Sequence, residues 1–527
     1  MHRLFFASAL VALSAYGYET PTMGWSSWNT YRVNIDESLI KSQADAMVAT
    51  GLKDCGYDHI NIDDGWFGGR DENGRHTTNL KRFPNGLKPV VDYIHSKGLK
   101  AGAYSDAGEN TCGWKWDNDE LSYQVGFYDH DAADAKFFFT ETGFDFIKVD
   151  FCGGLPYGNA KGEKMSERER YTAIRKAIDA EGFPNVRMNI CRWAYPGTWA
   201  SEAGFSWRVT PDIAEGWENV RNTLNEGLLL APYAYGGHYN DLDMLEVGRG
   251  MTLEEDRTHF AMWCVLASPL LIGCDLTTIK PETLELLKNR ELIAIDQDPL
   301  GLQAAIVRQY ADDRYAFVKD LGKLGGTVRC LAFYSWSDEA SEFEIAFDEV
   351  DLGGKVKVRE LVEGVDLGTM EGKLSCKVPA HGTRVFRLEG EKRLERRRYP
   401  AHWAFLSGYQ ELDPDARTAN YGLVKGNNGK YQYTARRVGG AEGDYLLWRD
   451  VLSEAGGEYV LKFDVFPCDG AGFDVEVNGE NAGFASKACD FTLKARLKAG
   501  PNTIRLSNDA EKMCTICGVD LEPAAQQ

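Results

Sequence analysis

Histidine pairs at metal-binding spacing are missing from this 527-residue chain: its nine histidines include no H-x-x-x-H or equivalent, which leaves zinc chemistry poorly supported. Asp241-x-Asp243 alone is too short for a calcium loop. No G-x-S-x-G occurs, so a serine-hydrolase elbow is excluded, and no glycine-rich phosphate loop follows any strand-like run, which weakens a dinucleotide site. There is no Asn-x-Ser/Thr acceptor and hence no glycosylation signal. Basic residues are in deficit, 59 against 79 acidic ones, and the net charge of −20 repels phosphate backbones and anionic membranes. Neither nucleic acid nor membrane is an expected partner. Beyond the first residues no stretch approaches the ~20 apolar residues of a membrane span. Twelve cysteines are too few for a disulfide scaffold in a chain this long, and Cys514-x-x-Cys517, with no second pair, reads as structural.

What is present begins with a leader. His2-Arg3, an apolar run from Leu4 to Leu13 and small residues up to Gly17 predict a secretory signal over 1–17, and so an extracellular destination, or a periplasmic one if the source is bacterial. Over 18–302, short strand-like runs alternate with helix-length amphipathic segments, the pattern of a parallel α/β fold. The runs are Met23–Trp28, His59–Asp63, Lys100–Ser105, Phe144–Asp150, Val186–Cys191, Ser206–Thr210, a weak one before Asn240, and Pro269–Cys274. With helices such as Glu37–Thr50, Gly86–Lys97, Glu167–Ala180 and Leu253–Val265 between them, they predict a (β/α)8 TIM barrel. From 303 to 390 apolar alternation with glycine turns predicts an antiparallel β-sandwich. The charge run 391–398 reads as a solvated linker, and strict alternation over 399–527 predicts a second β-sandwich.

Barrel enzymes build their sites at the C-terminal ends of strands, and here those ends are strongly polar. They carry Trp28, Asp63-Asp64, Tyr104, Lys148 with Asp150, Trp193, Arg208 with Asp212, and Asp241 with Asp243. A lone Asp at such a position is more often a helix N-cap. Carboxylates ending at least four strands converge on one mouth, which is harder to dismiss. Glycoside hydrolysis needs two carboxyl groups whose environments push their pKa values apart, and Asp150 and Asp212 suit those roles. Lys148 and Asp150 face the same side of a strand, where the cation favours an ionised nucleophile. Asp63 and Asp64 suit sugar hydroxyls, and Trp28, Trp66 and Trp193 can stack on pyranose C–H faces, although a tryptophan is more often core.

Several motifs resemble the α-galactosidases of glycoside hydrolase family 27. They are Met23-Gly-Trp-Ser-Ser-Trp-Asn29, Asn61-Ile-Asp-Asp-Gly-Trp66, Tyr104-Ser-Asp-Ala-Gly108, Ile147-Lys-Val-Asp150, Ser206-Trp-Arg208, Asn240-Asp-Leu-Asp-Met-Leu-Glu-Val247 and Ser268-Pro-Leu-Leu-Ile-Gly-Cys-Asp275. The resemblance runs from about residue 20 to 390. It implies a retaining mechanism with Asp150 as nucleophile, Asp212 as acid/base and no cofactor. It further implies a galactose pocket formed by Trp28, Asp63, Asp64, Tyr104, Lys148, Cys191, Trp193, Arg208 and Asp243, and a Cys112–Cys152 bridge. The expected partner is an α-galactoside oligosaccharide or polysaccharide.

Two departures stand out. A second family bridge is replaced by Val33 and Gly65. Arg192 stands where many relatives carry the Glu that reads the 2-substituent; it could alter subsite contacts, point to solvent or pair with a nearby acid. Retention of Asp63 argues against the β-L-arabinopyranosidase branch, and Arg192 leaves no obvious room for an α-N-acetylgalactosaminidase. The last 130 or so residues resemble carbohydrate-binding β-sandwich modules more weakly, so sugar binding and a structural role are both open to them.

Overall fold

The computed structural model describes residues 19–409, 418–425, 430–466, 470–486 and 491–524. The expected leader lies outside the described residues, as do Cys468 and Cys489.

Eight parallel strands form the first sheet: β1 (Met23–Ser26), β2 (His59–Asn61), β3 (Lys100–Asp106), β4 (Phe146–Asp150), β5 (Arg187–Ile190), β6 (Ser206–Arg208), β7 (Tyr239–Asp241) and β8 (Leu270–Ile272). They pair in the order β8-β1-β2-β3-β4-β5-β6-β7. The circle closes where Leu245, just past β7, bridges Ile272 of β8 and donates its N–H to the Leu271 carbonyl at 2.8 Å. This is the predicted (β/α)8 barrel. Its strands are buried on both faces, which is why they read as apolar runs. β1, β2, β5, β6 and β8 end one or two residues before those runs do, where the chain leaves the ladder for the mouth loops, whereas β3 extends to Asp106 and β4 ends at Asp150.

The helices follow from their caps and faces. α1 (Glu37–Ala49) starts where the Asp36 carboxylate accepts from the Leu39 N–H at 2.8 Å, and it buries Ile40, Ala44 and Met47 at helical spacing. α2 (Lys88–Ser96) and α3 (Glu167–Ala180) do likewise on Val90, Val91, Ile94 and on Tyr171, Ile174, Ile178. α4 (Trp217–Gly227) was not legible in the sequence pattern. α5 (Leu253–Val265) opens with a Thr252/Glu255 capping box and is buried nearly all round. The reason is tertiary: the following β-region covers its outer face, with Thr258 donating to the His381 carbonyl at 2.7 Å and Arg384 pairing with Glu254 at 2.9 Å. That region is a six-stranded antiparallel sheet facing a two-stranded one. The C-terminal region likewise forms two antiparallel sheets around a separate core that includes Trp448, Leu461, Phe473 and Ile504.

The charge run 391–398 is not the solvated linker that the sequence suggests. Glu391–Arg393 complete the strand Thr383–Arg393, and Arg398 opens the strand Arg398–Pro400. Arg329, Arg393 and Arg396 converge on Asp351 at 2.5, 3.2 and 2.8 Å, and the first two also reach Asp320 at 3.0 and 2.8 Å. Arg398 pairs with Asp464 and Asp520 of the C-terminal sheet at 2.6 and 2.8 Å. The acids come from distant strands, so no local pattern announces the cluster. Removing the shared acid strands buried guanidinium groups. Asp351→Asn, which tolerates the local φ of 59°, is therefore expected to cost about 3 kcal/mol or more of stability. The exposed neighbour Asp348→Asn should stay within about 0.5 kcal/mol. Calorimetry that finds the two variants equal would show the cluster to be inert.

Candidate active site

A cavity of about 400 Å³ opens at the C-terminal ends of the barrel strands. Of the residues the sequence singles out, Trp28, Asp63, Tyr104, Lys148, Asp150, Trp193 and Asp212 stand in its wall, beside Cys112 and Cys152. Asp64, Cys191, Arg208 and Asp243 stand outside that wall. Trp66 is buried, stacked on Phe67. Arg32, Trp116 and Tyr157 also line the cavity, and sequence reasoning missed them. A further crevice of about 160 Å³, at the junction of the barrel with both β-regions, is lined by Asp320 and Asp351, whose oxygens the arginine cluster engages.

The deep end of the cavity is built by β2, β3 and β4. Lys148 and Asp150 alternate inward from β4, as strand geometry requires. Lys148 Nζ donates to Asp63 Oδ2 at 3.1 Å and lies 5.2 Å from the Tyr104 ring centroid and 5.9 Å from that of Trp28. Asp150 accepts from the Tyr104 hydroxyl at 3.3 Å and from the Phe151 N–H at 3.1 Å. Burial pushes the Asp150 carboxyl up to about 7, against the downward pull of the Lys148 ammonium and with a further upward push from Asp212. The Lys148 ammonium favours the ionised form, as the sequence suggests, but it is also bonded to Asp63, and burial outweighs it.

Arg208, at the end of β6, is 2% exposed and holds the opposite side. Its Nη2 reaches Asp243 at 2.7 Å, Asp212 at 3.1 Å and the Thr210 carbonyl at 3.0 Å, while Nη1 lies 3.6 Å from the Cys191 sulfur. Asp243 also accepts from the Ile213 N–H at 2.9 Å, so the loop carrying Asp212 is held on both sides of that residue. The Asp212 side chain itself is 64% exposed. Asp64 accepts from the N–H groups of Gly65 and Gly113 at 2.8 Å each and from the Ser122 hydroxyl at 3.1 Å. Burial raises its carboxyl to about 6. Trp193 and Asp243 adopt φ of 62° and 76°, left-handed values that cost a non-glycine residue energy and that tertiary contacts must hold.

The expected Cys112–Cys152 bridge is present. It also accounts for the grouping of Asp106 with these two cysteines, whose sulfurs are bonded to each other and unavailable to a metal. Where the other family bridge is missing, Gly65 has φ 114°, and a Cβ there would sit 2.4 Å from the Val33 carbonyl. Direct backbone contact replaces the staple, and only glycine permits it. Arg192 pairs with Glu167 at 2.8 Å, both being about nine-tenths buried. Its guanidinium lies 5.4 Å from the Trp193 ring centroid and 5.5 Å from that of Phe151. Of the three outcomes open in the sequence, pairing with a nearby acid is the one realised.

A (β/α)8 barrel whose mouth holds the buried Asp63 and Asp150 and the exposed Asp212 in an aromatic-walled polar cavity has the parts that glycoside hydrolysis needs. Residues 20–298 match the family model described as alpha galactosidase A, of the melibiase type. Alpha-galactosidase A of Cellvibrio japonicus is 38% identical over 398 residues, 70% of this chain and 92% of that protein. Among solved structures, alpha-galactosidase I of Mortierella vinacea superposes with TM-score 0.63 at 31% identity, covering 71% of this chain and 98% of that one. The α-galactosidase of Saccharomyces cerevisiae, solved with raffinose, superposes with TM-score 0.61 at 26% identity, covering 70% of this chain and 97% of that one. The chain belongs to glycoside hydrolase family 27, the α-galactosidase family.

Proposed function

We propose that this chain removes terminal α-linked galactose by double displacement, with Asp150 as nucleophile and Asp212 as acid/base. The observation that carries this reading is that the two groups share one cavity wall in contrasting settings, Asp150 buried at 4% exposure and Asp212 at 64%. The Asp150 carboxylate attacks the anomeric carbon while Asp212 protonates the glycosidic oxygen, and the aglycone departs. Asp212 then takes a proton from water, which attacks the same carbon and releases Asp150. A deep end closed by Asp63, Tyr104 and Lys148 accommodates one terminal sugar, with Asp63 facing its hydroxyls and Trp28 against the ring. Asp64, Cys191, Arg208 and Asp243 act from behind by fixing the wall.

Two displacements retain configuration. Proton NMR of the earliest released sugar, taken before mutarotation, is expected to show α-galactose; β-galactose as the first product would reject double displacement. A panel of nitrophenyl glycosides that includes β-L-arabinopyranoside tests the choice of sugar.

The leader-like segment 1–17 and a disulfide at the site together support export to an oxidising compartment. For the C-terminal region, we favour bracing the barrel over sugar capture. Its Ser407 carbonyl accepts from Thr198 at 3.0 Å, and Tyr409 packs at 5.4 Å from Tyr195, two residues beyond Trp193.

A further inference from the structure

We propose that Trp116 and Tyr157, with Arg32, form a subsite that stacks a sugar ring of the leaving aglycone and so sets which aglycones are taken. This rests on the α-galactosidase reading above and adds the chemistry of the group that galactose leaves.

Trp116 and Tyr157 are 58% and 42% exposed, although aromatic rings of this size are mostly buried. Both stand in the wall of the catalytic cavity, in edge contact at 6.2 Å between centroids. The deep part of that wall is buried and polar, whereas its outer part is formed by these two rings and by Asp212. Asp212 must meet the glycosidic oxygen, so whatever lies beyond that oxygen lies in the outer part. Charged donors flank the rings. Arg32 is bonded in bidentate fashion to Asp117 at 2.6 and 2.9 Å, beside Trp116, and Lys115 Nζ lies 5.6 Å from the Tyr157 centroid. Aromatic faces beside cations match a pyranose, which has an apolar C–H face and a hydroxyl edge.

The rings are also held in place. Trp116 ends the short helix that Cys112 begins, and Tyr157 follows the 3-10 turn that Cys152 begins, so one disulfide ties the two arms at their roots. The Asp106 carboxylate accepts from the N–H groups of Gly108 and Gly153 at 2.7 and 3.0 Å, joining the same loops. Asn110 donates to the Gly158 carbonyl at 2.7 Å, next to Tyr157. Exposed rings on rigid arms lose little freedom when they bind, which makes the stacking effective.

The test compares two substrates on the full chain. Raffinose has a sugar aglycone, whereas α-galactosyl fluoride has none. Trp116→Ala with Tyr157→Ala is expected to lower kcat/KM on raffinose by about tenfold or more while leaving α-galactosyl fluoride within about twofold. Tyr157→Phe should keep most of the raffinose activity, since it keeps the ring. Equal losses on both substrates, or no loss on either, would overturn the subsite while leaving the galactosidase reading intact. A wild-type chain inert toward α-galactosyl fluoride would overturn that reading and the subsite with it.

Discussion

Asp150→Ala is expected to lower kcat/KM on an α-galactoside by about 10⁴-fold or more, because no covalent intermediate forms without its carboxylate. The vacated space admits a small anion, and sodium azide should then attack the anomeric carbon directly and expel the aglycone, giving β-galactosyl azide with inverted configuration. Recovery of α-galactosyl azide, or activity near wild type, would remove Asp150 from the nucleophile's role. The isosteric Asp150→Asn adds a stability signature. Burial raises this carboxyl from 3.8 to about 7 in the folded chain, so its contribution to stability is full below the unfolded value and is lost as pH rises through the folded one. Wild type therefore carries a buried carboxylate at pH 8 that the amide variant lacks. The melting temperature of Asp150→Asn should exceed that of wild type at pH 8, and by about 2 °C more than it does at pH 5. A gap that does not widen with pH contradicts the raised carboxyl.

Asp212→Ala is expected to cost about 10³-fold in kcat/KM on raffinose, where the leaving oxygen needs a proton, and far less on α-galactosyl fluoride, whose fluoride leaves without one. On α-galactosyl fluoride, which forms the galactosyl-enzyme without the acid, azide should take the place of water in the second step and raise turnover, so the product is α-galactosyl azide with retained configuration. The opposite azide anomers from the two variants assign the two roles in one assay. The fold should tolerate the change, since Asp212 is largely exposed and Arg208 keeps its 2.7 Å pair with Asp243. Equal losses on both substrates would mean that Asp212 serves binding rather than proton transfer.

The barrel was legible in residue order because its determinants are local. Strands buried on both faces must be apolar runs, helices such as α1 and α3 carry a cap and one apolar stripe, and the run ends must be polar to serve a mouth. Trp28, Asp63, Tyr104, Lys148, Asp150 and Asp212 could therefore be found by position, and the family motifs pointed to the Cys112–Cys152 bridge. Trp116 and Tyr157 carry no periodic signal; their nearness in sequence to the bridging cysteines was the one available hint.

What residue order could not settle was every property that depends on which distant groups meet. Arg192 read equally as a subsite cation, a solvent group or the partner of a nearby acid, and Glu167 of α3 at 2.8 Å decides for the last. The run 391–398 looked solvated because charged residues usually are, yet Asp320 and Asp351 arrive from strands far away in sequence and pair with its Arg393 and Arg396. Lys148, two residues from Asp150, does favour the ionised carboxylate as residue order suggests, but enclosure by the barrel outweighs it and raises the carboxyl. Alternation and capping are encoded over a few neighbouring residues, whereas charge pairing and desolvation belong to the packed chain, and only the tertiary structure decides them.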